Sequence, residues 1–354
     1  MTARLERTRQ HLATLGVERM LITTPSNVRW LSGFTAPEDA RILINPTEAV
    51  LLTDGRYIAQ AEEESSLPAV IERDWMGVVR DRAKGGALGV EGDHLTMATA
   101  RRLEQETGLT LEPHDRVLEP LRIIKDAAEV DIIRRAAQLT DAAYAHVLTQ
   151  LRPGVREVDL ALAIEQYVRT HGGEGMAFDI IVASGPRSAM PHGTASGRTI
   201  EAGELVTFDL GAKVDGYCAD MTRTVAVGPI STEHRAIFDA VLEAQERAVA
   251  AVRPGISGIA LDAVARDSLT EAGFGKAFSH SLGHGVGIDI HEAPGLSPKS
   301  EDVLEPGMMI TIEPGAYLPG DAGVRIEDLV LVTEQGGEVL SSSPKAFTDV
   351  LAGA

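Results

Sequence analysis

The segment HSLGHGVGIDIHE, residues 280–292, contains three histidines and three glycines. His280 and His284 have the i, i+4 spacing of a helical zinc site. However, each glycine costs a helix about 1 kcal/mol relative to alanine, and the HExxH pattern of zinc peptidases is absent from the segment. A turn that carries surface histidines is the alternative. The segment can take part in chemistry only if other parts of the chain supply partners.

Acidic residues recur in pairs on predicted strands. Asp209 in FDLGA and Glu313 in IEPGA each precede a Gly-Ala step. Each is followed by a second strand with another acid, Asp220 and Glu327 respectively. Both spacings suit a hairpin whose arms lie side by side. An acid on a buried strand is costly unless it is paired or binds a metal, whereas a solvated acid on an edge strand is the alternative for any one of them.

These four carboxylates could hold cations. Two divalent cations would cancel their charge, and one neutral imidazole would complete a five-ligand set. Oxygen ligands with one nitrogen suit Mn²⁺, Co²⁺ or Fe²⁺ better than they suit a structural zinc. Such a pair of cations would lower the pKa of a shared water and supply a nucleophile at neutral pH. The remaining histidines would then donate protons or stabilise an oxyanion.

An internal repeat positions both acid pairs. The segment LRPGVREVDLALAIEQYVRTHGG (151–173) resembles VRPGISGIALDAVARDSLTEAGF (252–274), and EAGELVTFDLGA (201–212) resembles EPGMMITIEPGA (305–316). A long helix is predicted before the first copy, from about Asp126 to Gln150. We therefore expect two similar αβ halves packed about a pseudo-two-fold axis. Chance resemblance between two strand patterns is the alternative.

The first part of the chain, to about residue 122, alternates strand-like and helix-like segments. The pattern predicts a helix that ends near Gly16 and an α/β layer domain. Short apolar runs bounded by turn residues predict strands at 19–24, 41–46, 49–54, 69–73 and 87–92. Helical patterns lie between them in RYIAQAEEES and TMATARRLEQETG. Trp30 is expected to pack in the core of this domain.

Composition limits the class of protein. A chain of 354 residues suits two domains. A net charge of −19 argues against nucleic acid or an anionic membrane as partner. One cysteine excludes an internal disulfide and fits a reducing compartment. The chain has no signal-peptide core and no apolar run near the ~18 residues that span a bilayer. We therefore predict a cytoplasmic protein.

Several motifs together resemble those of the creatinase/prolidase "pita-bread" metallopeptidases, specifically Xaa-Pro aminopeptidases and prolidases. They are MPHG, FDLGAKVDGYCADMTRT, HSLGHGVGIDIHE, TIEPGAY and GVRIEDLVLV, and SNVRWLSGF and LLTDGRY resemble the family's N-terminal domain. The resemblance implies an α+β protein. Residues 1–122 would form a creatinase-like α/β domain, and residues 123–354 a pita-bread domain with the internal pseudo-two-fold repeat and a dinuclear metal site.

The resemblance also assigns roles to individual residues. The metal ligands would be Asp209, Asp220, His284, Glu313 and Glu327, and Asp220 and Glu327 would bridge both ions. His192 and His291 would contact the substrate and the transition state, and they or Glu313 would serve as catalytic acid or base. His280 would line the proline side of the substrate site, Tyr317 would lie near the substrate, and Arg325 would support a ligand carboxylate.

The implied activity is removal of an N-terminal residue that precedes proline, by a metal-dependent exopeptidase that uses two divalent ions, most readily manganese, with cobalt, zinc or iron as alternatives. The expected partners are a proline-containing peptide and a second copy of the chain. We predict an Xaa-Pro aminopeptidase, because a dipeptidase needs a cation for the substrate carboxylate and the candidates Arg29, Arg41 and Arg187 lie in loop-like segments. Xaa-Pro dipeptidase is the main alternative. A creatinase-type C–N hydrolase, a peptide-binding pseudo-enzyme and a methionine aminopeptidase fit less well.

Overall fold

The chain divides into two units, Met1–Arg122 and Ile123–Ala354. The computed structural model describes residues 2–83 and 85–351. Each unit has its own hydrophobic core. The mixed helix and strand content confirms the predicted α+β class, with an α/β layer in the first unit.

The first unit is a mixed six-stranded sheet with helices, in the strand order β4-β3-β2-β1-β5-β6. Strand β1 runs antiparallel to β2 and parallel to β5. The strands are β1 Met20–Ile22, β2 Arg41–Ile44, β3 Ala49–Thr53, β4 Ala69–Ile71, β5 Ala87–Glu91 and β6 Thr110–His114. The helices are α1 Thr2–Thr14, α2 Pro25–Ser32, α3 Ile58–Glu64, α4 Trp75–Ala83, α5 Met97–Thr107 and α6 Glu119–Arg122. Trp30 on α2 is buried, so it packs in this core as predicted.

The second unit contains the internal repeat. Its helices are α7 Ala127–Leu148, α8 Glu157–Thr170, α9 Thr232–Ala251 and α10 Gly258–Glu271. Its first strands are β7 Gly175–Met176, β8 Ile181–Ser184, β9 Glu204–Leu210, β10 Ala212–Val214, β11 Tyr217–Cys218 and β12 Met221–Val227. They are followed by β13 Gly283–Gly285, β14 Glu292–Leu296, β15 Met309–Ile312, β16 Gly315–Leu318, β17 Ala322–Arg325, β18 Asp328–Thr333 and β19 Gly336–Val339.

The two halves of this unit have the same plan. In the first, α7 and α8 cover a sheet of order β12-β9-β8, and in the second, α9 and α10 accompany a sheet of order β14-β13-β15-β18-β19. Both α8 and α10 follow an Arg-Pro-Gly turn, where Gly154 and Gly255 adopt φ of +92° and +84°. Glycine takes this left-handed conformation without the steric cost that a side chain adds. The predicted pseudo-two-fold repeat is confirmed.

Helix α7 begins where the sequence predicts it. The side chain of Asp126 accepts from the Glu129 amide, and the Glu129 side chain accepts from the Asp126 amide. This reciprocal capping box satisfies two backbone donors that the first turn leaves free. Among the described residues, no helix is both long enough and apolar enough to cross a membrane.

Candidate metal centre and active site

The four predicted acids lie at equivalent places in the two halves. Asp209 is the penultimate residue of β9 and faces Thr222 of β12, while Asp220 directly precedes β12. In the second half, Glu313 directly follows β15 and Glu327 directly precedes β18. Each antiparallel strand pair therefore carries two carboxylates at one end, as the spacing predicts. The chain between them forms further strands, β10 and β11 in one half and β16 and β17 in the other.

His284 on β13 brings an imidazole to these acids. Its Nδ1 lies 3.0 Å from the carbonyl oxygen of Gly285, a contact in which Nδ1–H donates. The Nε2 atom of the neutral ring is then a bare acceptor, 3.3 Å from Glu313 Oε1 and 3.6 Å from Asp220 Oδ2. Burial lowers the pKa of His284, which favours this neutral form. Acceptors that face one another this closely require a cation or a proton between them.

Two buried carboxylate oxygens point to the same conclusion. Asp209 Oδ2 accepts from Arg325 Nη2 at 2.6 Å, and Glu327 Oε2 accepts from Thr222 Oγ1 at 2.6 Å. The other oxygen of each group, Asp209 Oδ1 and Glu327 Oε1, is buried without a hydrogen-bond partner. Leaving a buried polar atom unpaired is costly, so these atoms are in place for a ligand.

The pKa values of the acids also favour a bound cation. Burial, followed by repulsion from Glu327, Asp209 and Glu313, raises the pKa of Asp220 well above its ordinary value. Burial and repulsion from Glu313 and Asp209 do the same to the pKa of Glu327. Burial also raises the pKa of Glu313 to about 7. A bound cation would stabilise the ionised form of every member of this cluster.

The residues present fit divalent cations. One potential ligand atom from each of Asp220, His284 and Glu327 lies within 4.8 Å of the other two. Asp209 and Glu313 border the same cavity. Four carboxylates and one neutral imidazole form a mostly oxygen donor set, which suits Mn²⁺, Co²⁺ or Fe²⁺.

Glycines allow the strands around the acids to approach closely. A Cβ atom on Gly211 would lie 1.9 Å from the carbonyl oxygen of Ala219, and one on Gly285 would lie 2.1 Å from that of Ala293. Both carbonyls are backbone groups, which cannot move aside as the end of a flexible side chain can. Gly211 thereby permits the two ends of the segment between Asp209 and Asp220 to approach each other closely.

Arg325 connects the acid cluster to His280. Its Nη1 donates to the Tyr317 hydroxyl at 2.9 Å, and its Nε donates to Thr222 Oγ1 at 3.0 Å. The Tyr317 hydroxyl lies 2.9 Å from His280 Nε2, while His280 Nδ1 lies 2.8 Å from the Ser281 carbonyl oxygen. The carbonyl can only accept, so Nδ1 carries the proton and Nε2 accepts from the tyrosine. Burial, with Arg325 nearby, lowers the pKa of His280 to about 4.

The cavity has a volume of about 440 Å³. Nine predicted site residues line it: His192, Asp209, Asp220, His280, His284, His291, Glu313, Arg325 and Glu327. Tyr317 lies behind His280 and contacts it and Arg325. Burial, followed by the nearby His284 and His192, lowers the pKa of His291. The cavity walls also include Phe178, Ile181 and Ile290, which are apolar.

Two threonines were not predicted from the sequence. Thr222 joins Arg325 to Glu327, and Thr311 Oγ1 donates to Glu313 Oε1 at 3.1 Å while it accepts from the His284 amide at 3.1 Å. Strand alternation offers a signal for both, because each lies two residues from an acid and so shares its direction. Arg187 makes different contacts from those of a substrate clamp, because its Nε donates to Glu157 and its Nη2 to the Thr194 carbonyl.

Comparisons with known proteins agree with this geometry. The model of metallopeptidase family M24 matches residues 131–334, and that of the creatinase/prolidase N-terminal domain matches residues 4–124. The Xaa-Pro dipeptidase of Pyrococcus furiosus is 40% identical over 98% of this chain and 99% of its own.

Solved structures extend the comparison. A Bacillus anthracis Xaa-Pro dipeptidase superposes with a TM-score of 0.95 and 41% identity, over 98% of this chain and 99% of its own. An X-Pro aminopeptidase from Thermotoga maritima gives a TM-score of 0.90 and 35% identity, over 96% and 99% of the two chains. This chain belongs to metallopeptidase family M24 and begins with a creatinase/prolidase N-terminal domain.

Proposed function

We propose that the protein is an Xaa-Pro dipeptidase, a prolidase, that hydrolyses the bond between an amino-terminal residue and a carboxy-terminal proline. The observation that carries this proposal is the likeness, along nearly the whole chain, to proteins named Xaa-Pro dipeptidase. It replaces our sequence-based preference for an aminopeptidase, to which these comparisons give less support. The catalytic domain would be residues 123–354, preceded by a separate domain of residues 1–122.

The proposed metal ligands are Asp209, Asp220, His284, Glu313 and Glu327. Divalent cations held by them would supply a Lewis acid that polarises the scissile carbonyl and makes water nucleophilic at neutral pH. Asp220 and Glu327 are the proposed bridging residues, and the repulsion that each experiences from neighbouring acids supports a site for more than one cation.

Side chains of the protein would carry out the proton transfer. The proline nitrogen in the scissile bond carries no hydrogen, so its departure needs a placed proton donor. Glu313 borders the cavity, so its carboxylate can take a proton from water and return it to the leaving nitrogen. His192 and His291 are exposed and border the same cavity, so they can contact the substrate and stabilise the transition state. His280, neutral and fixed by Tyr317, would line the proline side.

An Xaa-Pro aminopeptidase is the second candidate. The aminopeptidase from Thermotoga maritima matches this chain with a TM-score of 0.90. In addition, Arg325 is the one arginine among the cavity-lining residues of the described chain, and its nitrogens already bind Asp209, Thr222 and Tyr317. A substrate carboxylate would then depend on the imidazoles of the cavity.

Matched substrates separate the two activities. We would compare Met-Pro, Met-Pro-amide and Met-Pro-Ala with protein loaded with Mn²⁺ or Co²⁺. A dipeptidase should favour Met-Pro over both others by at least about tenfold in kcat/KM, or ~1.4 kcal/mol of transition-state binding. Asp220→Asn is the control for contaminating peptidases and should lose all three activities. Preference for Met-Pro-Ala would establish the aminopeptidase, and no turnover of any substrate would refute both proposals.

Three further proposals accompany this function. We propose manganese as the preferred metal, a homodimer as the assembly and the cytoplasm as the location. Activity after reconstitution with single metals tests the first. Light scattering at several protein concentrations tests the second, and cell fractionation tests the third.

A further inference from the structure

Glu157, the first residue of α8, is a completely buried carboxylate outside the predicted ligand set. Its Oε1 accepts from the amide and hydroxyl of Ser184, at 2.9 and 2.8 Å. Its Oε2 accepts from Arg187 Nε at 3.0 Å and from the amide and hydroxyl of Ser196, at 3.1 and 2.6 Å. Five donors thus converge on one side chain.

The two serines flank one loop, and Arg187 lies within it. We call residues 185–195, between Ser184 and Ser196, the His192 loop. Arg187 also spans it, because its Nη2 donates to the Thr194 carbonyl at 2.6 Å. A third attachment comes from Arg325, whose Nη1 donates to the Pro191 carbonyl at 3.0 Å. Glu157 therefore closes the base of the loop, and Arg325 holds its tip beside the acid cluster.

The imidazole of His192 depends on this backbone for its position. It is exposed and borders the cavity, and within the described chain it has no hydrogen-bond partner. The ring of His280, by contrast, is fixed at both nitrogens, by Ser281 and by Tyr317. Where His192 points is therefore set by the conformation of its loop.

The second half of the repeat uses a comparable arrangement. Asp262 on α10 is buried, and it accepts from Arg266 Nε at 2.7 Å and from the Leu282 amide at 3.1 Å. Arg266 in turn donates to the carbonyls of Phe278 and His280, at 3.1 and 2.9 Å. In each half, a buried helix carboxylate with an arginine holds a loop that delivers a cavity histidine.

We propose that Glu157 is a positioning residue that fixes His192 in the active-site cavity by closing the base of the His192 loop. The part of the proposal that concerns catalysis rests on the proposed peptidase function. A carboxylate is needed because all five partners are donors, whereas the amide group of a glutamine would turn a donor toward some of them. Small misplacements of an active-site group can lower turnover by as much as about 10²-fold.

The first test is independent of activity. Hydrogen–deuterium exchange of the His192 loop is compared in wild type, Glu157→Gln, Glu165→Gln and Asp262→Asn. Glu165→Gln is a control that makes the same chemical change at an exposed pair on α8. Asp262→Asn is a control for the loss of a buried carboxylate on another helix. We expect faster exchange of the loop amides, by about tenfold or more, in Glu157→Gln alone. Unchanged exchange in Glu157→Gln, or equal acceleration in Asp262→Asn, overturns the proposal.

The second test is a double-mutant cycle on kcat with Met-Pro. Glu157→Gln should lower kcat by about tenfold or more, with metal content unchanged. In a His192→Ala background the same change should lower it by less than about twofold, because its effect passes through His192. If Glu157→Gln lowers kcat by the same factor in wild type and in His192→Ala, Glu157 does not act through His192.

The proposal remains testable if Glu157→Gln does not fold or if the wild type has no Xaa-Pro peptidase activity. If Glu157→Gln does not fold, Ser196→Ala replaces it, because this change removes one hydroxyl donor and leaves the carboxylate in place. It should show the same loop acceleration and the same non-additivity with His192→Ala at smaller size, and the absence of both overturns the proposal. If the wild type cleaves no Xaa-Pro peptide, the proposed function fails, and the exchange experiment still decides whether Glu157 holds the loop.

Discussion

Arg325 Nη2 lies 2.6 Å from Asp209 Oδ2 and joins the two halves of the second unit through a buried ion pair. The pair accounts for one oxygen of Asp209 and leaves Oδ1 buried without a hydrogen-bond partner. Through Thr222 the same guanidinium also reaches Glu327, and through Tyr317 it reaches His280. The Arg325 guanidinium thus orients two of the proposed metal ligands, Asp209 and Glu327, and also the proposed proline-side histidine, His280.

Replacement of Arg325 by methionine should destabilise the protein by about 3–5 kcal/mol, because it leaves a buried carboxylate without its counter-charge. Arg325→Lys should recover only part of this, since an ammonium cannot match the planar, divergent donors. The free energy of unfolding in denaturant measures both effects. Arg235→Met, which breaks an exposed pair with Asp239, should change it by less than about 1 kcal/mol. Equal effects at the two sites would contradict this account.

Divalent metal should stabilise the wild type, because it relieves repulsion among buried acids. At a free concentration of 100 times Kd, one site adds about 2.7 kcal/mol. Asp220→Asn should lose this gain, and without metal it should be at least as stable as the wild type, because one source of repulsion is gone. Thermal unfolding with chelator and with Mn²⁺ measures both. Asp215→Asn, an exposed change between β10 and β11, should keep the metal response. A metal response in Asp220→Asn equal to that of the wild type would remove Asp220 from the ligand set.

The two adjacent histidines should respond differently. Their ring centroids lie 4.4 Å apart, but only His284 has Nε2 directed at the acids. His284→Ala should lose bound metal. His291→Ala should keep it and lose turnover by about 10²-fold or more, the scale for removing a transition-state donor. Metal content by elemental analysis and kcat on Met-Pro distinguish them. Near-normal turnover in His291→Ala would exclude a catalytic role for that residue.

Gly211→Ala should destabilise the protein by at least about 1–3 kcal/mol, because the new methyl group would overlap a carbonyl oxygen that cannot move freely. The nearest atom to its Cβ is the Ala219 oxygen at 1.9 Å. Gly197→Ala is the matched control, since a Cβ there meets nothing within 4 Å, and it should change stability by less than about 1 kcal/mol. Denaturant unfolding of both variants tests the difference, and equal stabilities would contradict the close approach at Gly211.

His280 should make stability fall as the solution becomes acidic. Burial lowers its pKa to about 4 in the folded state, whereas an unfolded histidine titrates near ~6.5. The unfolded chain therefore binds the proton first as pH falls, and stability is lost between about pH 6.5 and pH 4. In chelator, His280→Gln should lose less stability than the wild type from pH 7 to pH 5. His94→Gln, at an exposed position, should behave like the wild type. Parallel losses in all three proteins would refute the assignment to His280.

Much of the fold follows from local patterns. Each of the predicted strands in the first unit is present, because short apolar runs between turn residues have few other ways to be buried. Helix α7 begins directly after Asp126, near the predicted start of the long helix. Helices α2, α4 and α6 and strand β6 were not predicted. Strand β6, TLEPH, lies at the sheet edge and is mostly exposed, so it lacks the apolar alternation that a half-buried strand shows.

The acids and histidines of the candidate site could be predicted from the sequence, but the residues that hold them in position could not. Repetition of a rare feature, an acid before a Gly-Ala step, revealed Asp209 and Glu313. Glu157 gave no such signal, because its partners Ser184 and Ser196 lie 27 and 39 residues away along the chain. A lone glutamate at the start of a helix has the same local pattern whether it faces solvent or closes a loop.

The division of the acids between two halves bears on how the second unit folds. Asp209 and Asp220 lie at the end of the β9 and β12 strand pair, and Glu313 and Glu327 at the end of the β15 and β18 pair. The halves also share apolar packing, because Leu205 of β9 and Ala226 of β12 belong to the same core cluster as Ile310 and Ile312. Burial of this shared core brings the four like charges together. Packing of the two halves is therefore opposed by charge repulsion, and a divalent ion held by the acids would offset this cost. Metal supply would then determine the fraction of chains that are folded as well as the fraction that are active.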